Sequence, residues 1–327
     1  METLSILDVG HGNCAVLKYG SAAIVIDAAS QHTLAATLDR LEIEVIEALI
    51  VSHGDEDHVS GAASLLANVD RPVRHVFANP DVIRTTQAWK VFLASSARAA
   101  ENGTKIHAAL TNVDPGEIRL GRATVSVLYP FGDLALAGVS GKSVGGKNLD
   151  ANTMSGVIRV SFEGREFCLL AADISQTSLD LIVQRHQEIN APILVFPHHG
   201  GLPRRANGED FASAVTKLVA PQAVLFSLGR GIHGTPRPEI IKGVRSALQG
   251  KIPYLACTQL SKRCAPALPK QRSGAVEYSA GYKNNASCAG SITFQLAISP
   301  EEEVQRLRSS HGAYIVGNVP GRICGLA

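Results

Sequence analysis

The sequence predicts a mixed α/β fold in which two β-sheets pack face to face between layers of helices. Three observations lead to this fold class. Short apolar stretches typical of buried strands recur along the 327 residues, and segments with helical periodicity separate many of them. Hairpins alternate with crossover helices, an order that favours two sheets over a single doubly wound sheet. Hydrophobic residues make up 45% of the chain and charged residues 18%, as in ordinary globular enzymes.

The elements up to Pro130 follow from the spacing of apolar residues. LSILDVG, CAVLKYG and AAIVIDA are predicted strands, with HGN as a turn after the first and Asp27 at the end of the third. Leu34, Leu38 and Leu41 recur at helical spacing within TLAATLDRLEI. The strand EALIVSH enters the loop GDEDHVSG, from which the helix GAASLLANV leaves directly. Further predicted elements are the strand RHVFANP, a helix over residues 84–101, and the strands IHAALTNV and EIRLGRATVSVLYP.

The second part of the chain opens with a stretch rich in Gly, Ser and Asp, residues 132–150, which predicts a mobile loop. MSGVIRVSF and FCLLAADI then form a hairpin around EGRE. The elements that follow are a helix over 176–189, the strand APILVFPHHGG, a helix over 210–219, the strand QAVLFSLG, a helix over 237–249, the strand IPYLACT, the strand SITFQLAI and a polar tail. We expect a main domain over residues 1–256 and a Cys-containing extension over 257–327 packed on it.

The composition indicates a cytoplasmic protein. No apolar run approaches the roughly 20 residues that span a bilayer, and Asp8 and His11 come too early for a secretory signal peptide. The six cysteines are dispersed, and without secretion a disulfide framework is not expected. Cys14 and Cys168 lie in apolar runs and are predicted to be buried.

Charge is distributed unevenly along the chain. Residues 1–100 carry seven Lys/Arg against twelve Asp/Glu, net −5, whereas residues 230–287 carry ten against two, net +8. An acidic end that supplies metal ligands and a basic end that holds an anion suit a phosphodiester substrate. A solvated basic face is the alternative interpretation.

The segment SHGDEDHVSG predicts a metal site. It places His53, Asp55, Asp57 and His58 within six residues, directly after a buried strand. Imidazole and carboxylate suit zinc, manganese or iron, and carboxylates this close repel one another unless a cation neutralises them. Other ligand-type residues also follow predicted strands, where a two-metal site would need them: Asn152, Ser155, Asp173, His198, His199 and His233.

Six segments together resemble a known family. They are LDVGHGN, SHGDEDHVSG, NTMSGV, LAADI, PHHGG and SLGRGIHGTP. In this order they are similar to the metallo-β-lactamase-fold proteins, in particular the hydrolase domain of ComEC/Rec2 competence proteins, over about residues 4–256. The resemblance implies a four-layer αββα sandwich and two divalent metal ions, zinc or manganese.

The resemblance also implies roles for individual residues. His53 and Asp55 would hold the first metal, with Asp55 standing where the fold usually has His. Asp57 and His58 would hold the second, Asp173 would bridge both, and either His198 or His199 would complete the second site. Asn152 stands where many relatives have a metal-binding His, which puts full occupancy of the first site in doubt. Ser155, Asp8 and His11 are further candidate contacts to metal or substrate.

The activity implied is hydrolysis of phosphodiester bonds in DNA or another nucleic acid, by an activated water that attacks phosphorus in line. Asp57 would orient that water, and His233 would clamp the phosphate or protonate the leaving group. The candidate substrate-binding residues are Arg204, Arg205, Arg230, Arg237, Lys262 and Arg263. Free-standing relatives occur in bacterial antiphage defence, so a defence or DNA-processing system with further protein partners, and no membrane, is the expected setting.

Two other functions stay open from the sequence. One is hydrolysis of a small molecule such as a lactone, thioester, β-lactam or cyclic nucleotide. The other is a conditionally active subunit of a larger complex. The C-terminal Cys257, Cys264 and Cys288 could also hold a structural zinc ion with His311 or Cys324, although no CxxC pair is present and reduced thiols are the alternative.

Overall fold

The computed structural model describes residues 2–136, 139, 143–144, 147–204, 206–248 and 250–323. Strands and helices alternate through the first half in the order β1 (Thr3–Ile6), β2 (Ala15–Tyr19), β3 (Ala22–Ile26), α1 (Gln31–Arg40), β4 (Val45–Val51), α2 (Glu56–Val59), α3 (Ala62–Leu66), β5 (Val73–Ala78), α4 (Gln87–Glu101), β6 (Lys105–His107), β7 (Glu117–Leu120), β8 (Ala123–Tyr129) and α5 (Gly132–Ala135). Ser30 and Thr86 cap α1 and α4 with their hydroxyls, which explains why the helix predicted from residue 84 begins at Gln87.

The second half continues with β9 (Ser143–Val144), β10 (Lys147–Asn148), β11 (Val157–Phe162), β12 (Arg165–Leu170), α6 (Gln176–Gln184), β13 (Ile193–Val195), a 3₁₀ turn (Pro197–Gly200), α7 (Gly208–Val219), β14 (Ala223–Phe226), α8 (Pro238–Ala247), β15 (Tyr254–Cys257), β16 (Ile292–Gln295) and α9 (Pro300–Asn318). The stretch predicted as a mobile loop, 132–150, thus contains α5 and the two-stranded ribbon β9–β10, and residues 137, 138, 140–142, 145 and 146 lie outside the described residues.

Two seven-stranded sheets form the body of the molecule. The first has the order β16-β1-β2-β3-β4-β5-β6, and the second has the order β15-β14-β13-β12-β11-β8-β7. In each sheet antiparallel hairpins occupy one side, and parallel strands joined by crossover helices occupy the other. The loops that follow the carboxyl ends of the parallel strands therefore lie at one edge of each sheet.

Three apolar layers show that both sheets are covered on both faces. Ile24 of β3 packs into the layer between the sheets, and its neighbour Val25 packs against α1, α3 and α4 on the outer face. In β12, Leu170 faces the layer between the sheets, and Leu169 faces α6, α7 and α8. This period-2 alternation between two buried faces builds a four-layer αββα sandwich, as the sequence predicted. Cys14 and Cys168 are buried within it.

The segment after residue 256 completes the first sheet. Its strand β16 pairs antiparallel with β1 as the edge strand. The loop before β16 is tied to the carboxylate of Asp8, which accepts hydrogen bonds from the side chains of Gln259 (2.8 Å) and Ser287 (3.1 Å) and from the backbone of Gly281 (3.0 Å). Asp8 is fully buried, so these contacts make its carboxylate a structural anchor, and the candidate role in metal or substrate contact stays a prediction.

The polar tail contains a 19-residue helix, α9, that the apolar pattern did not predict. Its signals are a Ser299 cap, Pro300 at the first turn and three glutamates in that turn, all of which favour a helix N-terminus. Within the described residues, no helix has the length and apolar character needed to cross a bilayer.

Candidate metal centre

The site lies where loops from the carboxyl ends of both sheets meet. The SHGDEDH loop follows β4, and the HGN turn follows β1. Asp173 follows β12, the two adjacent histidines follow β13, and the loop 227–237 follows β14. These loops line one cleft of about 850 Å³ that contains ten of the predicted site residues: His11, Asp55, Asp57, Asn152, Asp173, His198, His199, Arg204, His233 and Arg237.

One group of ligand atoms joins the two sheets. His199 Nε2 lies 3.1 Å from Asp57 Oδ2, and His11 Nε2 lies 3.4 Å from the same oxygen. Burial would raise the pKa of Asp57, but the neighbouring imidazoles of His199 and His58 hold it below its usual value. Burial lowers the pKa of His11 to about 4, so its imidazole is neutral near pH 7 and can present a lone pair to a cation.

The second group lies deeper, and its carboxylate, Asp173, also lies close to His199 of the first group. His53, His58 and Asp173 are all buried, and their ligand atoms lie within 4.8 Å of one another. His58 Nε2 is 3.5 Å and His199 Nε2 is 3.7 Å from Asp173 Oδ1. Two ligands of a tetrahedral ion, each about 2.0–2.2 Å from it, lie roughly 3.3–3.6 Å apart. The spacing around Asp173 therefore fits a shared divalent ion.

Hydrogen bonds behind the site fix which imidazole nitrogen faces it. His58 Nδ1 donates to Asp27 Oδ2 at 2.7 Å, and Asp27 also accepts from the backbone and hydroxyl of Ser52, both at 2.8 Å. His199 Nδ1 donates to the carbonyl of Ser227 at 2.7 Å. With the proton on Nδ1, each ring turns the lone pair of Nε2 toward the cleft.

The two adjacent histidines have different roles. His198 Nε2 donates to the carbonyl of Ile174 at 3.0 Å, and its Nδ1 lies 3.3 Å from Asp173 Oδ2, so it braces the carboxylate from the side. His199 instead belongs to the ligand group with Asp57. Both residues have a left-handed backbone, with φ of 52° and 56°. Such strain is rare outside glycine and is typical of functional loops.

Several buried ligand atoms fit a bound cation. Among the described residues, Nε2 of His58 and of His199 and Oδ1 of Asp173 are buried and have no hydrogen-bond partner. Unpaired buried polar atoms are costly in a protein interior, and a divalent ion would satisfy all three at once. A donor set that suits zinc or manganese therefore combines both groups: Asp57 and His199 from the first, and His58 and Asp173 from the second. It corresponds to the predicted position of the second metal.

The HGN turn carries His11 into the site because Gly12 allows a close approach. A Cβ on Gly12, whose φ is +124°, would lie 2.3 Å from the carbonyl oxygen of Asp57. Asn13 N–H donates to that same carbonyl at 3.0 Å, and the hydroxyl of Ser227 donates to the carbonyl of Gly12 at 2.7 Å. The turn thus connects the SHGDEDH loop to the loop after β14.

Asp55 has a different environment from the other two carboxylates. Its Oδ1 forms an ion pair with Nη2 of Arg84, and its Oδ2 lies 3.6 Å from His53 Nε2. Burial opposes ionisation, yet the neighbouring His53 imidazole and the Arg84 charge hold the pKa of Asp55 below its usual value. At the first predicted position, Asn152 lines the cleft with an amide where the resemblance implies an imidazole. Ser155 hydrogen-bonds His53 Nδ1 and the backbone of Asp173, so it positions both residues and is no ligand itself.

A basic wall faces the ligand groups across the cleft. Arg204 and His233 are exposed there, and Arg237 is partly buried. The Nε of Arg237 has no hydrogen-bond partner among the residues described, and the ion pair it forms with Glu239 spans 3.9 Å. The ring of His233 lies 5.1 Å from that of His11. This wall therefore offers positive charge to an anion held beside the ligand groups.

Three of the predicted basic residues do not line the cleft. The guanidinium of Arg230 donates to the carbonyls of Leu260, Ala265 and Pro266, so it holds a backbone loop, and its predicted substrate role has no support from the cleft geometry. Arg263 donates to the carbonyl of Gly234, and Lys262 packs against Gly231, so both support the His233 loop from behind. Arg205 lies outside the described residues.

The predicted structural zinc site does not form among the described residues. Their metal-compatible groups are the two at the cleft, and neither contains Cys257, Cys264 or Cys288. Cys288 Sγ instead lies 3.1 Å from His311 Nε2, whose other nitrogen contacts the hydroxyl of Tyr254 at 2.7 Å. Cys324 lies outside the described residues.

Sequence reasoning missed Asp27, Ser52 and Arg84. Asp27 has the same signal as the predicted ligands, a polar residue at the end of a buried strand, but its distance of 31 residues from His58 conceals the contact. Arg84 lies in an irregular segment before α4 and has no motif that would single it out.

Comparisons with known proteins agree with this architecture. The sequence profile of the metallo-beta-lactamase superfamily matches residues 7–129. No curated protein sequence is significantly similar to the chain. Three solved structures are distantly similar to it. The metallo-beta-lactamase fold protein YhfI from Bacillus subtilis is 13% identical, covers 73% of this chain and 92% of its own, and has a TM-score of 0.44.

The other two structures are similarly distant. Igni18, a metallo hydrolase from the archaeon Ignicoccus hospitalis, is 13% identical over 77% of this chain and 94% of its own, with a TM-score of 0.44. A diphosphatase from the PhnP family is 14% identical over 76% and 93%, with a TM-score of 0.43. The narrower resemblance to ComEC/Rec2 domains stays a prediction. With two sheets between helical layers and a matching profile over residues 7–129, the chain has the metallo-β-lactamase fold.

Proposed function

We propose that this protein is a metal-dependent hydrolase that cleaves phosphodiester bonds in nucleic acid. One observation supports this most strongly: among the described residues, buried ligand atoms without a hydrogen-bond partner share one cleft with a guanidinium nitrogen, the Arg237 Nε, whose nearest anion is 3.9 Å away. The first need a cation and the second needs an anion. A phosphodiester held beside a divalent ion would satisfy both needs in one complex.

Asp57, His58, Asp173 and His199 would hold the ion. When bound, a divalent ion supplies a Lewis acid and lowers the pKa of water to near neutrality. The protein contributes rigidity, because Asp27 and the Ser227 carbonyl lock the rings of His58 and His199 from behind. The neutral imidazole of His11 adds a fifth donor next to Asp57.

The basic wall would bind and orient the substrate. Arg237 lies at the start of α8, and the Gly234 position lies between its guanidinium and that of Arg263: a Cβ built there would be 3.9 Å from Arg237 Nη1 and 3.4 Å from Arg263 Nη2. The guanidinium of Arg237, which lines the cleft, suits the oxygens of a phosphate backbone, and Arg263 holds the loop behind it. Exposed Arg204 adds positive charge to the lining of the same cleft.

Two residues can move or hold protons at the reacting atoms. Asp57 is ionised and lies at the cleft, where its carboxylate would orient the attacking water. His233 is exposed on the basic wall, where its imidazole would protonate the leaving oxygen. A role in DNA processing or antiphage defence, with further protein partners, stays a prediction from the resemblance.

Substrate panels test this proposal against hydrolysis of small molecules. Protein loaded with Mn²⁺ or Zn²⁺ is assayed on single- and double-stranded DNA, RNA, a cyclic nucleotide, a lactone and a β-lactam. We expect turnover of a nucleic acid, with binding that weakens steeply as salt is added. Turnover of the lactone or the β-lactam alone would contradict the phosphodiester assignment. Activity that appears only with an added partner would support the conditionally active subunit.

A further inference from the structure

Asp55 is the carboxylate that differs from the rest of the centre. In the described part of the chain, the charged contacts of Asp57 and Asp173 are all to histidines. Asp55 instead faces the guanidinium of Arg84, which is a permanent cation. One oxygen of Asp55 is therefore already neutralised by the protein itself.

Arg84 is built into the site and is not a loose surface side chain. Its Nε donates to Asp81 Oδ2 at 2.8 Å, and the Asp81 side chain is only 2% exposed. The indole of Trp89 donates to the backbone carbonyl of Asp81 at 3.2 Å, which holds that residue in place.

Gly54 makes room for this arrangement. A Cβ at Gly54 would lie 2.9 Å from Arg84 Cδ and 3.0 Å from Trp89 Cε3. The glycine inside the SHGDEDH loop thus lets the arginine stem lie directly against the backbone beside Asp55.

His53 is the imidazole of the first predicted metal position. Its Nδ1 lies 3.1 Å from the hydroxyl of Ser52 and 3.2 Å from that of Ser155. Its Nε2 is buried without a hydrogen-bond partner among the described residues and lies 3.6 Å from Asp55 Oδ2. His53 therefore stays available as a ligand, and the difference from the second position lies in its neighbours.

The first predicted metal position therefore keeps one good ligand, His53, and lacks the others. Asp55 is paired with a guanidinium, and Asn152 replaces an imidazole with a weaker amide donor. A divalent ion there would also be repelled by the adjacent guanidinium charge.

We propose that Arg84 takes the place of the first metal ion, so that the protein binds one tightly held divalent ion, at Asp57, His58, Asp173 and His199. This inference rests on the proposed metal-dependent function and revises the expected two ions to one. Asp55 is then a partner of Arg84 and not a metal ligand.

Two matched substitutions, two residues apart, test the proposal. Metal-depleted protein is titrated with Zn²⁺ by calorimetry, and bound zinc is counted by elemental analysis after desalting. We expect one equivalent in the wild type and in Asp55→Asn, with less than about a tenfold change in affinity, and loss of that equivalent in Asp57→Asn. Two equivalents in the wild type, or loss of the ion in Asp55→Asn, would overturn the inference alone. No bound zinc in the wild type would overturn it together with the proposed function.

A second pair of variants asks whether Arg84 is what blocks the first position. Asn152→His restores an imidazole, and we expect it to keep one equivalent because the guanidinium remains. Arg84→Gln/Asn152→His removes the cation as well, and we expect a second equivalent to bind. A second equivalent in Asn152→His alone, or none in the double variant, would contradict the role given to Arg84. Thermal unfolding of each variant shows that it is folded.

Discussion

The two walls of the cleft differ in how the protein holds them. The ligand wall, formed by Asp57, His58, Asp173 and His199, is buried or partly buried. Two of its rings are held by hydrogen bonds from behind: His58 Nδ1 donates to Asp27, and His199 Nδ1 donates to the Ser227 carbonyl. The basic wall is exposed or partly buried, and the Arg237 Nε has no hydrogen-bond partner within the described residues. A fixed set of donors suits a resident ion, whereas a solvated set of cations suits a substrate that enters and leaves. Substitutions on the two walls should therefore affect different measured quantities.

The largest effect is expected at His199. His199→Ala removes a ligand, so we expect loss of the ion and at least a 100-fold fall in kcat/KM. The matched variant is His198→Ala, which removes only the brace on Asp173 and should cost about tenfold in metal affinity. Zinc titration and steady-state hydrolysis measure both. Equal losses at the two positions would contradict the assignment of His199 as a metal ligand and of His198 as a support for Asp173.

A smaller effect is expected behind the ligand wall. Asp27→Asn weakens the acceptor that fixes the ring of His58, and we expect metal affinity to fall by about 10- to 100-fold. Asp39→Asn is the control, because that carboxylate is exposed on α1 and pairs with Arg71. Unchanged zinc affinity in Asp27→Asn would show that the hydrogen bond behind His58 does not tune the ion.

On the basic wall, substrate binding should change while metal binding does not. Arg237→Ala removes a charged donor worth about 1.5–3 kcal/mol, so we expect KM for a nucleic acid to rise by about ten- to 100-fold with zinc content unchanged. Lys242→Ala removes a positive charge on the exposed face of α8, where it pairs with Glu209, and serves as the control. A drop in bound zinc in Arg237→Ala would remove the distinction between the walls.

The smallest effect is expected at Arg204, at the exposed edge of the same wall. Arg204→Ala should weaken nucleic-acid binding modestly and reduce the slope of log K against log salt by about 1. Fluorescence anisotropy with a labelled oligonucleotide over a range of salt concentrations measures this slope. An unchanged slope would place the bound backbone away from Arg204.

The fold and the ligand loops could be predicted because their signals are local. The alternation of β3 and β12 between two buried faces and the crowded SHGDEDH loop are both visible in short windows of sequence. The choice between His198 and His199 could not be made in this way. Strand alternation does not apply to them, because β13 ends at Val195 and both histidines have left-handed backbones.

Other features depend on contacts between distant parts of the chain. Arg84 meets Asp55 only because the segment before α4 folds back over Gly54. Arg230 belongs to the basic stretch, but its guanidinium donates to backbone carbonyls, and a count of charges does not show this. The position of Asp8 likewise depends on a loop more than 250 residues later in the chain, which no local pattern indicates.

Cleavage of a labelled DNA or RNA oligonucleotide by metal-depleted protein, as Mn²⁺ or Zn²⁺ is added back, tests the central claim most directly. Asp57→Asn, checked for folding by thermal unfolding, is run beside the wild type. We expect no cleavage without metal, cleavage by the wild type that saturates as the ion is bound, and none by Asp57→Asn at any metal concentration. Cleavage by the depleted wild type, or equal cleavage by Asp57→Asn, would contradict a metal-dependent phosphodiesterase at this site.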